Sequence, residues 1–464
     1  MALTLLAGSQ LLIVVDATIV NVALMPIRDG LGFSDADLPW VVTAYTLAFG
    51  GLLLVAGRLA DRYGHRRLFL LGAGVFGIAS LVGGAAGAPA VLAVARAVQG
   101  AGAAMMAPAA LALVMHVFPP GRGRALALGV WAGVTAAGTA LGSVLGGVLT
   151  ETLSWRWVLW INAPVVVVVV VAGLLVLPRA SGVGRARIDV VAVATVTGGL
   201  TLLVYGLTRV ADPGWSAGTL LVLATSAGLL GAFAVSQGRG VAPLLPRSLL
   251  RDRTVVAANV VGLVLGVAVY ALFYFVSLFL SSVQGKDPVQ VGLAFVPMTV
   301  AIGVAARVSG ALAARVSPRR LAGTGAALVS VGLVLLTRIE PSSGYVATLL
   351  PGLVVGGIGL GLTFVPLTSA AVSGAGLADA GIASAMFNAG QQIGGALGLA
   401  VLTTISAQVT ADSGAAAAQA TTDGWRVALL VAAALTGAAA VLTITLIRPG
   451  PDQTTWSSSP VSTS

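Results

Sequence analysis

The chain of 464 residues contains no cysteine, a single lysine (Lys286) and only two histidines. Without cysteine, disulfides, thiolate metal sites and cysteine nucleophiles are all excluded. Charged residues make up 9% of the chain and hydrophobic residues 58%, a balance that no soluble fold of this length needs. Nucleotide-binding loops, catalytic triads and zinc spacings are also missing. His65 and His116 lie near span ends with no acid–base partners in sequence, so an enzyme is not expected. The formal charge of +10 would suggest nucleic acid in a soluble protein. Here the basic residues sit in short loops and are not interleaved with aromatics, so no nucleic-acid partner is expected. The near-total use of arginine for lysine, with excess Ala, Gly and Val, hints at a GC-rich bacterial genome.

What the chain has in abundance is long apolar runs. A helix needs about 20 apolar residues to cross the hydrocarbon of a bilayer. Fourteen such stretches fall at roughly 3–25, 38–59, 68–87, 89–117, 124–150, 156–177, 188–208, 216–236, 255–283, 289–314, 321–338, 345–371, 380–409 and 426–447. The fold class is therefore all-α integral membrane, multi-pass in the lipid bilayer. The N-terminus is not a cleavable signal, because it has no basic region and its apolar run continues past Asp16. The first span begins almost at Met1, which suggests that a few upstream residues are missing. Pro449 to Ser464 is rich in Ser, Thr and Pro and reads as a disordered tail.

Loop charges alternate in sign. The loops after spans 2, 4, 6, 8 and 10 carry Arg62/Arg66/Arg67, Arg122/Arg124, Arg179/Arg185/Arg187, Arg239/Arg247/Arg251/Arg253 and Arg315/Arg319/Arg320. The opposite loops carry mainly acids, among them Asp29, Asp35, Asp37, Glu151, Asp287 and Glu340. Basic loops stay cytoplasmic, so both termini are expected inside, in a bacterial cytoplasmic membrane.

The sequence repeats internally. GRLADRYGHRR (Gly57 to Arg67) recurs as GALAARVSPRR (Gly310 to Arg320), offset 253. AGTALGSVLGG (from Ala137) matches AGQQIGGALGL (from Ala389), offset 252, and QGAGAA (from Gln99) weakly matches GGIGLG (from Gly356), offset 257. Near-constant offsets imply two homologous six-span bundles, residues 1–178 and 239–448, with two inserted helices at 179–238 and the tail at 449–464. Paired repeats are typical of secondary transporters, whose binding site lies between the repeats near the midplane.

Asp16 sits in the middle of span 1. A charge there is costly and reads as functional. Span 1 runs outward and Asp16 lies roughly 13 Å before its outer end at 1.5 Å per residue. Span 4 runs inward and Arg96 lies roughly 10 Å from its outer start. The two side chains therefore match in depth. A buried carboxylate stays charged beside an arginine and takes up a proton more readily when the arginine withdraws, which is what proton coupling needs. The bland alternative is a fixed ion pair that orients two helices, but a buried pair is a poor stabiliser.

Other candidates follow from residue type. Gly57, Asp61, Arg62, Gly64, Arg66 and Arg67 combine an acid at a helix end, three arginines, a glycine for close approach and a glycine for a positive-φ turn. They read as a cytoplasmic gate, the alternative being a loop that only sets topology. Gly138, Gly142, Gly146 and Gly147 make a flat helix face for close packing, read as a sliding interface between the halves or as static packing. Asn21, Gln99, Met105, Met106, Tyr270, Asn388, Gln391 and Gln392 are candidates for the substrate cavity, with helix packing an equal alternative for each.

These motifs resemble the major facilitator superfamily over nearly the whole chain, and within it the 14-span drug:proton antiporter family. The resemblance is carried by DATIVNVALMP (from Asp16), the GRLADRYGHRR loop, LAVARAVQGAGAA (from Leu92), GTALGSVLGG (from Gly138), WRWVLWINAP (from Trp155) and PLLPRSLLRDR (from Pro243). Ser143 stands where the antiporter motif usually has proline. In the second half Ala314 replaces the acid matching Asp61, and Leu353 falls near the counterpart of Arg96. The resemblance implies proton-coupled export of a small hydrophobic substrate, multidrug or antibiotic efflux, by alternating access. It implies a monomer and no cofactor beyond the coupling protons. A dedicated exporter or proton symporter of one endogenous metabolite is the alternative. A non-transporting membrane sensor is more remote, since no soluble domain is appended.

Overall fold

A computed structural model describes residues 1–118, 122–178, 190–211, 215–239, 247–312, 315–373 and 380–447. The tail at 449–464, the arginines at 179, 185 and 187, Ala314 and the side chains of Asp61, Arg122 and Arg124 lie outside the described residues. The described residues are almost all helical and contain no strand. The elements are α1 (Ala2–Val22), α2 (Leu24–Leu31), α3 (Trp40–Tyr63), α4 (His65–Gly84), α5 (Pro89–Val117), α6 (Arg122–Thr152), α7 (Trp157–Trp160), α8 (Asn162–Val176), α9 (Val190–Ala211) and α10 (Ala217–Arg239). After these come α11 (Arg247–Arg251), α12 (Arg253–Leu278), α13 (Pro288–Ala294), α14 (Val296–Leu312), α15 (Pro318–Leu336), α16 (Leu350–Val372), α17 (Ala380–Asp412) and α18 (Ala417–Leu446).

Twelve helical segments are each long and apolar enough to cross a membrane, among the described residues. Two further long helices, α3 and α6, run where spans 2 and 5 are read from the sequence. Outward faces such as Val167, Val168, Val171 and Leu175 on α8 are exposed and apolar, as a lipid-facing surface requires. Starts and stops follow local chemistry. Asp252 accepts from the amides of Thr254 and Val255, and Asp287 from that of Gln290, capping α12 and α13. Gly64, at φ +96, turns the chain between α3 and α4, a backbone conformation only glycine adopts without strain.

Glycines set the packing, and they repeat. Gly72 on α4 faces the Gly102 carbonyl on α5, and Gly325 on α15 faces the Gly359 carbonyl on α16. The offsets, 72 to 325 and 102 to 359, are the 253 and 257 read from the sequence. Gly142 and Gly146 on α6 lie against the Val15 and Ile19 carbonyls of α1; at offset 252, Gly394 and Gly398 on α17 lie against the Leu263 carbonyl and Val267 of α12. Close approach of backbones replaces the hydrophobic drive that lipid removes.

The two halves meet most extensively at one end. A single apolar cluster joins Ile19, Leu24 and Ile27 to Phe275, Phe279, Phe295 and Trp425. This is the end whose loops carry Asp29, Asp35 and Asp287, here called the acidic end. The cluster built on α4, α5 and α8 takes only Ala389 from the second half among its fully buried residues. The acidic end is therefore shut. α9 lies over the crossing of α3 and α17: Leu47, Leu200, Val204, Ala396 and Ala400 form one buried cluster, and Thr404 donates to the Leu207 carbonyl at 3.0 Å. α10 packs on α9, with Ser226 donating to the Gly199 carbonyl.

Candidate functional site: a buried carboxylate with three polar donors

Asp16 and Arg96 meet as the depth match predicts. Arg96 Nη1 donates to Asp16 Oδ2 at 2.7 Å, and Asp16 is 0% exposed. Asp16 Oδ1 accepts from Gln99 Nε2 at 2.7 Å and from Asn162 Nδ2 at 2.6 Å. Gln99 also donates to Ser80 Oγ at 2.8 Å, and Ser80 donates to the Phe76 carbonyl. Arg96 is held on every side: Nη1 donates to Gln99 Oε1, Nε donates to the Val41 carbonyl at 3.0 Å, and the guanidinium lies over the Tyr45 ring at 4.4 Å. Side chains of α1, α5 and α8 thus meet at one carboxylate, with Ser80 of α4 behind Gln99. A buried charge is tolerable only when so paired and hydrogen-bonded.

Asn162 and Ser80 escape the sequence reading, although both lie within about two helical turns of the acidic end, at the depth of Asp16. The motif around Trp155 explains how Asn162 arrives there. Arg156 donates to the Gly84 and Ala86 carbonyls at 2.8 and 2.7 Å, pinning the start of α7–α8 to the end of α4. That anchor fixes the height at which Asn162 enters the bundle.

On the second half, the Tyr270 hydroxyl donates to Gln392 Oε1 at 2.7 Å, and Gln392 packs on Gly50 of α3. Tyr270 and Gln392 therefore stand at the seam beside α3. The other cavity candidates make different contacts. Met106 is fully buried and, with Met105, packs on Gly72 of α4. Asn21 donates to its own helix at the Ala17 and Thr18 carbonyls, and Asn388 to that of Ser384. Gln391 is partly buried, with its carbonyl against Gly266. In this arrangement the Met pair packs against α4 and each asparagine bonds its own helix.

Arg66 donates to the Leu174 carbonyl at 2.7 Å and, at 3.4 Å, to that of Gly173. It caps the end of α8 within its own half. Arg62 lies over the Tyr63 ring at 5.3 Å, and Arg67 is exposed. A Cβ at Gly57 would meet nothing within 4 Å, so that glycine is not there for close approach. On α6, Gly138, Gly142 and Gly146 face α1 of the same half, contrary to a seam between halves; only Gly147 faces the other half, against Pro288 and Val289. In return Gly292 of α13 faces the Ser143 carbonyl. Among the described residues no cluster of acids and histidines could hold a metal.

A helical membrane bundle with a repeated glycine framework and one buried carboxylate–arginine pair is the architecture of a secondary transporter. The chain belongs to the Major Facilitator Superfamily, whose family model matches residues 6–399. It is a multi-pass membrane transport protein for a small molecule, not an enzyme. It is 39% identical to the puromycin resistance protein of Streptomyces alboniger, over 96% of this chain and 90% of that one. It is 41% identical to the cephamycin export protein of Amycolatopsis lactamdurans, over 89% of this chain and 86% of that one. Among solved structures, a bacterial homologue of the lysosomal transporter Spinster superposes with a TM-score of 0.69 at 16% identity, covering 96% of each chain.

Proposed function

We propose that this chain exports hydrophobic small molecules, antibiotics or drugs, from the bacterial cytoplasm in exchange for protons, by alternating access. The observation that carries the reading is the fully buried Asp16–Arg96 pair, in a chain similar to export and resistance proteins. The membrane offers no reason to retain such a pair for stability alone. Loop charge puts the basic end and both termini in the cytoplasm, and all fourteen long helices cross the cytoplasmic membrane as two six-helix bundles with α9 and α10 between them. With the acidic end outside, the shut arrangement described above is the one that takes substrate from the cytoplasm. The protein works as a monomer.

The coupling runs as follows. Substrate enters between Arg96/Tyr45 and Tyr270/Gln392, and the halves rock. A proton reaching Asp16 weakens its bond to Arg96, which frees α5 from α1 and favours substrate release. Loss of that proton to the cytoplasm restores the pair. Each ligand thereby selects one state. Asp61 and its arginines tune the inner gate. Several relatives are named for a single compound, which favours a second reading in which one endogenous metabolite is the physiological cargo.

The test is Asp16→Asn in inverted vesicles with an imposed proton gradient. Uphill accumulation should be lost while downhill exchange persists; unchanged uphill transport would place the coupling proton elsewhere. With Asp16 the only acid clearly inside a span, neutral, weakly acidic or monovalent compounds are the expected cargo, because a second unpaired charge in the cavity is costly. A susceptibility panel of matched mono- and divalent dyes checks this. Strong protection against the divalent set would overturn it.

A further inference from the structure

A cavity of about 610 Å³ lies at the acidic end, and Asp16 is not among its lining residues. Ligand pockets span roughly 300–1,000 Å³. One wall is Arg28 on α2 and Asp35 in the loop that follows, from the first half; Thr208 of α9 adds a second; α12, α17 and α18 of the other half make the rest. The mouth opens where Asp35, Ala417 and Ala418 are exposed.

Two aromatic side chains in this lining carry a polar tip and are almost wholly buried, Tyr274 at 2% and Trp425 at 6% exposure. Among the described residues, neither the Tyr274 hydroxyl nor the Trp425 indole N–H donates a hydrogen bond, and neither is sealed away from accessible space. Buried Tyr and Trp normally place these groups on a partner. The cavity they line is the space that can supply one. Arg28 closes this wall as an ion-paired group: its Nε and Nη1 bond Asp29 and Asp35 at 3.0 and 3.1 Å. Partial burial pulls the Arg28 guanidinium pKa down, but the bonds to Asp29 and Asp35 and the attraction of their charges together outweigh it and leave the pKa above its ordinary value. Thr404 supplies the complementary feature. Its hydroxyl proton is committed to backbone carbonyls, so its oxygen is left as an acceptor.

We propose that this cavity is a second binding site, for a small flat aromatic molecule with carbonyl and hydroxyl oxygens. The two unmatched donors take the carbonyl, Thr404 takes a hydroxyl proton, and the aromatic walls take the rings. A hydrocarbon of the same size leaves both donors without a partner and is rejected by comparison. Binding here needs no proton coupling. The site is built from both halves, so it exists while the acidic end is shut, and an occupant favours that state.

The experiment is equilibrium dialysis of the full chain in lipid nanodiscs, with empty nanodiscs as blank. The probes are 7-hydroxy-4-methylcoumarin and, as the oxygen-free control, 1-methylnaphthalene. The coumarin should bind saturably and the naphthalene should only partition. Tyr274→Phe and Trp425→Phe should each weaken coumarin binding by roughly fivefold, the value of one hydrogen bond. Ala407→Trp, at an exposed lining position that no core contact depends on, should abolish it. As a second readout, saturating coumarin should slow thiol labelling of Ser277→Cys at the shut acidic end. Equal affinity in wild type and all three variants, or naphthalene binding as tightly as the coumarin, would overturn the proposal.

Discussion

Asp16 is surrounded by donors that differ in how replaceable they are. Arg96 brings charge, whereas Gln99 and Asn162 bring neutral amides. Removing one neutral donor from a buried carboxylate costs about 1–3 kcal/mol. Asn162→Ala should therefore lower the thermal unfolding midpoint of the purified protein and reduce proton-driven export. In the Asp16→Asn background the same change should cost less, because the charge it served is gone. Equal costs in the two backgrounds, measured by a double-mutant cycle, would show that Asn162 acts on packing alone. This residue also marks where sequence reading stopped. Depth in the membrane can be counted along a span, and the count brought Arg96 to Asp16. Asn162 and Ser80 satisfy the same count, but a neutral polar residue in a span carries no charge penalty that draws attention to it. Met106 shows the converse limit. Residue type alone assigned it to a cavity wall, while its helix turns it onto Gly72.

At the scale of helices, spans were readable from apolar length, and the repeat from its offsets, because both depend on sequence order alone. The rotation of a helix about its axis was not, because neighbours set it. α6 is the clear case. Its glycine ladder promised close contact without naming the partner; three rungs meet α1 and only Gly147 meets α13. The two kinds of rung should respond differently to bulk. Gly142→Val drives a side chain into the Val15 carbonyl and Thr18 and should destabilise the first half, read as a lower unfolding temperature and poor yield. Gly147→Val meets Pro288 across the seam and should leave the fold intact but hinder closure of the acidic end. A single introduced Ser277→Cys, buried there beside Asn21, would report this. Its labelling by a thiol reagent should be slow in the otherwise unchanged chain and several-fold faster with Gly147→Val. Equal rates would separate Gly147 from gating.

For the whole molecule, the question is how two halves can rock while α9 grips both. A Cβ built at Gly51 stands 3.7 Å from Thr197 Cβ, a separation suited to a disulfide. In a chain without cysteine, the pair Gly51→Cys/Thr197→Cys can be oxidised with no competing thiol. α9 rests on the crossing of α3 and α17, where Gly50 packs against Ala389 and Gln392. A rocking motion displaces a crossing point least. Export should therefore continue after oxidation at about the reduced rate. Arrest on oxidation, reversed by a reductant, would show that α9 slides during the cycle.

The paired glycine contacts carry a consequence for how this chain tolerates change. Gly72 with Gly102 and Gly325 with Gly359 hold equivalent places in the two halves, yet the second half has Leu353 near the counterpart of Arg96 and keeps no carboxylate like Asp16. After a duplication, the geometry of both copies stays under constraint, while the charge chemistry can be carried by one. A saturating mutational scan under drug selection should therefore draw an asymmetric map. Glycines at these crossings should be intolerant in both halves, and polar substitutions at the second-half positions matching Asp16 and Arg96 should cost only what any buried polar group costs in a membrane helix.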